Sequence, residues 1–240
     1  MYSLTAIITL LFFPEKQKVL MLIYGWFRKI DDIVDGDEDV PAGYNIDSYL
    51  AQKQSVMNGN NSLLLPEDIL FLYSSQFFAK QEIDMRQEMK NLFSAMVREH
   101  RWRGRFIERK ELSENMALQD KAVLMMIIKA SDANVEFYER HLFGFLGIFT
   151  KIDSLVDIHE DARKGIINIP LEDAVERGFD VKKIVSVENL RDIPGFNDWY
   201  KKEVRESLEK WSTVRKLLRG RPEMFLLNLI LNTTKIEIRV

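Results

Sequence analysis

Two groups of aspartates in this sequence have the side chains and the spacing to bind a divalent cation. They are Asp31, Asp32 and Asp35, and then Asp153, Asp157 and Asp161. Residues four apart share a face of an α-helix, so each group presents carboxylates side by side, which destabilises a helix unless a cation lies there. Carboxylate oxygens are the ligands that Mg²⁺ prefers. The spacing therefore predicts a magnesium site, and a solvated acidic helix face is the alternative.

The residues that precede each group by multiples of four indicate that the aspartates face the interior. They are Phe27, Ile23 and Val19 before the first group, and Phe149, Phe145 and His141 before the second. An apolar stripe on a helix packs against the core, so both stripes are predicted to be apolar first and acidic at the C-terminal end. Buried carboxylates are costly without a partner. We therefore predict an apolar cavity whose mouth carries the aspartates, lined by Phe27, Phe145 and Phe149, with ordinary core packing as the alternative for each phenylalanine.

A cation site above an aromatic cavity suits a substrate with a diphosphate head and a long hydrocarbon tail. Bound metal neutralises a departing diphosphate, aromatic faces stabilise the carbocation left behind, and exclusion of water prevents its capture as an alcohol. Arg28, Arg163 and Lys164 lie beside the aspartates and are predicted to bind diphosphate oxygens. For Arg163 and Lys164, the favourable interaction of a cation with a helix C-terminus is the alternative.

The composition excludes several other classes of protein. The chain has no cysteine, which excludes disulfides, thiolate metal sites and a cysteine nucleophile, and its three histidines are too scattered to form a zinc site. A net charge of −3 provides no general attraction for nucleic acid, so no nucleic-acid partner is expected. The basic residues at positions 98–105, which surround Trp102, are predicted to form a solvated face.

Helical periodicity dominates the chain, and a hydrophobic content of 46% is enough for a sizeable core. The predicted helices cover residues 14–35, 46–57, 66–79, 82–100 and 110–130, then one long helix that is capped by Ser131 or Asp132 and ends at residue 165. A connection at 166–170, one or two short helices, an amphipathic helix from Pro194 to residue 218 and a last helix opened by Pro222 complete the prediction. Because no strand alternation is present, we predict an all-α, single-domain helical bundle over residues 1–240.

Targeting and membrane signals are weak. No apolar run reaches the roughly 18 residues that span a bilayer, which predicts a cytoplasmic protein. Residues 4–13 are apolar but lack the basic flank and the small-residue cleavage site of a signal peptide, and a core helix is predicted there. Peripheral contact of this segment with a membrane interface is the alternative.

Two segments resemble the aspartate-rich motifs of the squalene/phytoene synthase family. Residues 24–35, YGWFRKIDDIVD, resemble the first motif, and residues 157–165, DIHEDARKG, followed by IPLED at 169–173, resemble the second. The resemblance implies an isoprenoid-synthase fold with three Mg²⁺ ions. It implies that Asp31, Asp35, Asp157 and Asp161 are the catalytic metal ligands and that Arg28 binds diphosphate.

The family resemblance also implies a reaction. Two allylic diphosphates of 15 or 20 carbons condense head to head: one ionises, the double bond of the other attacks, and a cyclopropyl intermediate forms. A second ionisation and rearrangement yields phytoene, or squalene where NADPH reduces the cation. We expect Mg²⁺ as the cofactor and no requirement for NADPH.

Several positions depart from the family pattern. Asp153 stands where the family usually has Asn, Thr150 lies near its usual Gln, and Val156 replaces its Arg. The Tyr and the Val-Ala-Gly-Val-Gly helix that usually precede the second motif are not apparent in residues 111–130. Two alternatives therefore stay open, a one-substrate terpene synthase that cyclises or eliminates after ionisation, and a non-catalytic relative that acts as a binding or assembly protein.

Overall fold

The computed structural model describes residues 15–221. Over this range the chain is an all-α single domain without a named strand, as predicted. The α-helices are α1 (Glu15–Asp35), α2 (Ile46–Met57), α3 (Pro66–Lys80), α4 (Arg86–Arg101), α5 (Arg109–Ala130), α6 (Val135–Leu142), α7 (Ile148–Val156), α8 (Ile158–Arg163), α9 (Leu171–Arg177), α10 (Val181–Ser186) and α11 (Phe196–Leu218). The apolar segment 4–13 and the helix predicted after Pro222 lie outside the described residues.

Helix α1 crosses the main hydrophobic core and carries the first aspartate group at its C-terminal end. Its inward face is apolar for most of its length, with Ile23 and Ile30 completely buried and Phe27 nearly so. Gly36 ends the helix, because it adopts a φ of +80° that favours glycine, and its N–H donates to the carbonyl of Ile33 at 3.2 Å. The predicted stripe of α1, apolar and then acidic, is confirmed.

Helices α4 and α5 form an antiparallel pair that packs against α1. Lys129 at the end of α5 donates to Glu88 in the first turn of α4 at 2.8 Å, and Gln119 in the middle of α5 donates to Glu99 near the end of α4 at 2.9 Å. Glu99 lines the same cleft as Asp31 and Asp35, so the C-terminal end of α4 lies beside the C-terminal end of α1. Helix α4 begins at Arg86 rather than at the predicted residue 82, because Glu82 has a left-handed φ of +58° that does not fit a helix start.

The long helix predicted from Ser131 or Asp132 to residue 165 is wrong. The chain forms α6, a 3₁₀ turn at Phe143–Phe145, α7 and α8 instead, and Asn134 caps α6 through a hydrogen bond from the N–H of Phe137. The break lies at Gly147, which has a φ of +89° and approaches α5 so closely that a Cβ there would lie 3.3 Å from the amide nitrogen of Ala117. Contact with α5 therefore bends the chain where periodicity suggested a continuous helix.

A buried aspartate on α5 holds the chain after this break. Asp120 accepts the N–H groups of Phe149 and Thr150, each at 3.0 Å, and the Thr150 hydroxyl at 2.7 Å. These donors belong to the first turn of α7, whose N–H groups have no partner within the helix. Asp120 thus performs the role of an N-cap from a neighbouring helix and fixes the direction in which α7 carries the second aspartate group.

The remaining helices form a second, smaller core beneath α7 and α8. The predicted amphipathic helix is confirmed as α11, which packs against α7. Trp199 on α11 is almost fully buried and donates its indole N–H to Asp173 on α9 at 3.0 Å. The connection after α8 is joined to the loop before α5, since the N–H of Gly104 donates to the carbonyl of Gly165 at 2.7 Å.

Candidate active site

The two aspartate groups face each other across one polar cleft. The cleft encloses about 200 Å³ between the C-terminal end of α1 and the α7–α8 segment. The predicted metal-binding residues that line it are Asp31, Asp35, Asp153, Asp157 and Asp161. Asp157 lies at the junction of α7 and α8, where helical bonding continues: its N–H donates to the Asp153 carbonyl at 3.0 Å, and the Asp161 N–H donates to the Asp157 carbonyl at 2.9 Å. The second row therefore keeps one face although the longer helix is broken.

Asp32 has a different position from its neighbours. It is not among the residues that line the cleft. Its carboxylate accepts from the Nε of Arg28 at 2.9 Å, and its carbonyl accepts the N–H groups of Asp37 and Glu38 beyond the helix end. Arg28 does line the cleft and also reaches the carboxylate of Asp31 at 3.2 Å. The Asp32 carboxylate therefore holds the guanidinium of Arg28 at the edge of the cleft and does not itself line the cleft.

The other predicted cations separate in the structure. Lys164 lines the cleft and forms ion pairs with Asp37 and Glu160. Arg163 is exposed, is not among the lining residues, and donates its Nε to the carbonyl of His159 at 3.3 Å. This bond agrees with the alternative given above for Arg163, in which the cation interacts with the C-terminal end of its own helix and not with a diphosphate.

Arg103 is a cation near the cleft that belongs to the basic stretch predicted to be solvated. Its side chain is only 28% exposed, and its Nη2 lies 3.7 Å from a carboxylate oxygen of Asp35. The prediction of a solvated face is therefore wrong at Arg103. The loop that carries it is held by the Gly104–Gly165 hydrogen bond, so the folded connection after α8 brings a distant arginine to the first aspartate group.

Negative charge dominates the cleft. Among residues 15–221, eight carboxylates and two cationic side chains, Arg28 and Lys164, line it. Although 36% of the Asp31 side chain is exposed, the surrounding protein desolvates it, and together with the charge of Asp35 this raises its pKa to about 8. Burial, followed by the charges of Asp35 and Asp157, raises the pKa of Asp161 to about 8. Burial likewise raises the pKa values of Asp35 and Asp153. These carboxylates lack enough cations to balance them.

Glu99 on α4 and Gln119 on α5 are among the lining residues that were not predicted, and they belong to helices that carry neither aspartate group. Burial raises the pKa of Glu99 to about 7, although a hydrogen bond from Gln119 acts in the opposite direction. The signal for them was present in the sequence, since Glu99 follows the buried Leu92 by two helical turns and so shares its face. This spacing alone could not place Glu99 in the site, because the sequence does not show that the C-terminal end of α4 lies beside that of α1.

An apolar pocket adjoins the cleft between α1, α4 and α5. It encloses about 40 Å³ and is lined by Leu20, Met21, Ile23, Tyr24, Phe27, Leu92, Val123, Met126 and Ile127. Asp31 follows Phe27 by one turn, Glu99 follows Leu92 by two turns, and Gln119 precedes Val123 by one turn. Each of the three helices therefore leads from an apolar wall to a polar one. The apolar pocket therefore lies next to the acidic cleft along these helices.

Phe27 is the predicted cavity residue that lines this pocket. Phe145 and Phe149 are not among its lining residues. Phe145 lies in the 3₁₀ turn before the break at Gly147, so it no longer shares a helix with the second aspartate group. The ring of Phe149 packs edge-on against Trp211 on α11, with 5.7 Å between the ring centroids. The pocket wall opposite α1 comes from α4 and α5 instead of from the segment before Asp153.

The donor set of the cleft fits Mg²⁺. It offers carboxylate oxygens, and the neighbouring amides Gln119 and Asn168 also carry oxygens. No imidazole or thiolate is present among the described residues that line it. Among residues 15–221, no three acidic or histidine side chains are close enough to hold a metal ion by themselves. Mg²⁺ usually keeps several waters and binds through one or two carboxylates plus substrate phosphates. The fit is therefore to a metal site that a diphosphate completes.

The fold and the cleft agree with the comparison of the chain with known families. A profile of the squalene/phytoene synthase family matches residues 3–226, nearly the whole sequence. The chain belongs to this family, whose members are related to prenyltransferases. No solved structure matches it at a significant level.

Three similar proteins carry the name phytoene synthase 2, chloroplastic. The protein of Solanum lycopersicum is 22% identical over 232 residues, which cover 88% of this chain and 72% of that protein. The protein of Zea mays is 26% identical over 182 residues, covering 71% and 42% respectively. The protein of Oryza sativa subsp. japonica is 25% identical over 179 residues, covering 71% and 43%. The alignments thus span less than half of the maize and rice proteins.

Proposed function

We propose that this protein is a Mg²⁺-dependent prenyltransferase that ionises an allylic isoprenoid diphosphate and joins two such molecules head to head. The observation that carries the proposal is the acidic cleft at the end of an apolar pocket, in a chain of the squalene/phytoene synthase family. The excess of carboxylates favours metal ions, and the apolar walls favour a hydrocarbon tail. We further propose that residues 1–240 form one isoprenoid-synthase-like domain.

The cleft residues have distinct proposed roles. Asp31, Asp35, Asp157 and Asp161 would hold Mg²⁺, three ions by family analogy, with Asp153 as a further ligand. Bound Mg²⁺ supplies the positive charge that a departing diphosphate needs. Arg28 faces the cleft and donates to diphosphate oxygens, while Asp32 keeps its guanidinium in place. Lys164 is a second donor once it leaves Asp37 or Glu160.

The pocket walls hold the hydrocarbon tail and exclude water from the carbocation. Phe27 and Tyr24 offer aromatic faces one and two turns from Asp31. Typical ligand pockets enclose about 300–1,000 Å³, so a pocket of about 40 Å³ has to widen for a prenyl chain. We propose that Met21 and Met126 move, because unbranched methionine side chains adapt readily.

A one-substrate terpene synthase is the second candidate, and a specific observation favours it. Two diphosphates require more positive charge than one. Val156 supplies none where the family usually has arginine, and Arg163 is exposed and bonded to a backbone carbonyl. In the part of the chain that the structure describes, Arg28 and Lys164 are the cationic residues that line the cleft. Binding of one diphosphate is therefore easier to account for than binding of two, unless Arg103 turns from Asp35 toward the second.

One incubation tests both candidates. Purified protein is mixed with Mg²⁺ and an allylic diphosphate of 10, 15 or 20 carbons, and diphosphate release and hexane-extractable products are measured. A hydrocarbon of 30 or 40 carbons supports head-to-head condensation, and products of the input length support the one-substrate reaction. Absence of diphosphate release with every substrate contradicts both and favours the non-catalytic relative. Arg28→Gln should lower release strongly, while the matched variant Arg163→Gln should not.

The cellular location stays a prediction. None of the helices in residues 15–221 is long and apolar enough to cross a bilayer. We propose a cytoplasmic protein, with peripheral membrane contact as the alternative. Five large hydrophobic side chains before α3 and in its first half are exposed and support that alternative, namely Leu63, Leu64, Ile69, Leu70 and Tyr73.

A further inference from the structure

We propose that Glu99 is an additional cation-binding residue of the cleft, contributed by α4 and outside both aspartate motifs, and that Gln119 on α5 positions its carboxylate. The inference rests on the proposed function, because it concerns the same cleft. It assigns a role to a helix pair that neither motif includes.

The contacts of Glu99 leave one carboxylate oxygen available. Gln119 Nε2 donates to Oε2 of Glu99 at 2.9 Å. Within residues 15–221, no lysine or arginine forms an ion pair with this carboxylate, and the charges that act on it, such as that of Asp35, are negative. A neutral amide fixes the orientation of a carboxylate without neutralising it, which is how supporting residues commonly hold metal ligands.

Glu99 lines the same cleft as both aspartate groups. Asp31 and Asp35 at the end of α1 and Asp161 in α8 line that cleft with it, and its charge acts on Asp31 and Asp161. Four carboxylates from three separate helices, including Asp35, thus repel one another around the same space. Such an arrangement opposes folding unless a cation binds among them. The three-helix origin distinguishes this cluster from an acidic face on one solvated helix.

Glu99 and Gln119 also mark the boundary between the cleft and the apolar pocket. Leu92 lies two turns before Glu99 on α4, and Val123 lies one turn after Gln119 on α5, and both line the pocket. A cation held here would bind the diphosphate where the hydrocarbon tail begins. Loss of Glu99 should therefore weaken binding of the metal and diphosphate while the apolar pocket stays intact.

The competing role for this pair is a structural link between α4 and α5. Thermal unfolding of the full chain separates the two roles, using a Mg²⁺ titration in the presence of inorganic pyrophosphate. If Glu99 binds a cation, Glu99→Gln should leave the metal-free melting temperature unchanged or raise it, because a repelled charge is removed. The Mg²⁺ concentration for half-maximal stabilisation should increase about tenfold, and Gln119→Leu should shift it in the same direction.

Glu111→Gln is the matched control. It removes the same charge from the exposed first turn of α5, away from the cleft, and should leave the Mg²⁺ requirement unchanged. A wild-type Mg²⁺ requirement in Glu99→Gln overturns the inference. A lower metal-free melting temperature with that same wild-type requirement also overturns it, since this is the result of a structural link.

Asp157→Asn distinguishes failure of this inference from failure of the proposed function. If Mg²⁺ and pyrophosphate stabilise the wild type but not Asp157→Asn, the metal site assigned to the motifs stands, and the Glu99→Gln result alone decides the inference. If the wild type shows no stabilisation, or Asp157→Asn retains all of it, the proposed metal site and the role of Glu99 fail together.

Discussion

The carboxylate of Asp68 on α3 and the carboxylates of the cleft differ in how the protein neutralises them. Asp68 on α3 is completely buried and accepts hydrogen bonds from Lys53, Trp26, Gln52 and the backbone N–H of Leu65 at 2.6–2.8 Å. Burial alone would raise its pKa, but these bonds outweigh it and lower the pKa of Asp68. Asp31 in the cleft has a raised pKa, with Arg28 as its bonded cation and other carboxylates around it.

The difference indicates that Asp68 stabilises the fold, whereas Asp31 is suited to bind a cation from outside the protein. The fully buried Lys53 lies beside Asp68, so charge and hydrogen-bonding capacity are satisfied within the protein. In the cleft the protein leaves negative charge unbalanced, which is unfavourable for the ligand-free state and favourable once Mg²⁺ binds. Substitutions in the two regions should therefore have opposite effects on stability.

The largest expected effect is that of Asp68→Ala. Removing it leaves the fully buried ammonium of Lys53 with Glu67 as its remaining ion-pair partner, and breaking a buried pair this way costs about 3–5 kcal/mol. Urea denaturation should show this loss in the free energy of unfolding. Asp31→Asn, measured in the same way without metal, should leave the stability unchanged or raised. A similar loss in both variants would contradict the distinction between the two regions.

The next largest effect concerns stabilisation by ligand. With Mg²⁺ present and pyrophosphate at 100 times its dissociation constant, a bound complex raises the free energy of unfolding by about 2.7 kcal/mol. Asp161→Asn should remove most of this gain and leave the ligand-free stability unchanged or raised. The matched variant Asp173→Asn alters a carboxylate bonded to Arg109 and Trp199 outside the cleft, and it should lose stability but keep the ligand response. Differential scanning fluorimetry with and without both ligands measures the two quantities.

Asp120→Ala should have a smaller effect, which combines a loss of stability with weaker ligand binding. Asp120 is buried and accepts hydrogen bonds at the start of α7, so its loss should resemble loss of a helix cap, about 1–2 kcal/mol. Because α7 carries Asp153 and leads to Asp157, we also expect weaker binding of Mg²⁺ and pyrophosphate. Restoration of binding at high Mg²⁺ would indicate misplacement of the row, whereas an unchanged Mg²⁺ requirement would show that Asp120 only stabilises the fold.

The sequence predicted correctly the half of the site that α1 carries, because helical periodicity alone determines the structure there. Helix α1 is unbroken, so the spacing from Phe27 to Asp31 and Asp35 carried both the apolar wall and the acidic end. The second half depends on tertiary contacts that periodicity does not contain. Gly147 bends against α5, and this removed Phe145 from the helix of the second row.

The residues that the sequence analysis did not place at the site also depend on tertiary contacts. Glu99 and Arg103 become part of the cleft region only because α4 ends beside α1 and because Gly104 bonds to Gly165. Neither relation leaves a local pattern in the sequence. The spacing of the aspartates identified both rows, and the helix pairing that completes the cleft required the structure.

The smallest expected effect is a pH dependence of stability that should be specific to the ligand-free protein. Asp31 and Asp161 have pKa values of about 8, well above the ordinary aspartate value of 3.8. A group whose pKa is raised in the folded state stabilises the fold while it is protonated, and this contribution is lost as the pH rises from 3.8 through about 8. The free energy of unfolding without metal should therefore fall between pH 5 and pH 8.

The slope should be modest, because the Asp31 side chain is 36% exposed and water and salt screen its repulsion. Asp31→Asn should flatten the slope, whereas Asp198→Asn, in the exposed first turn of α11, should leave it unchanged. Mg²⁺ with pyrophosphate should reverse it, since the ligands bind the ionised carboxylates. Urea denaturation at pH 5, 6, 7 and 8 measures the slope, and a stability that rises over this range without metal would show that the cleft carboxylates are already neutralised.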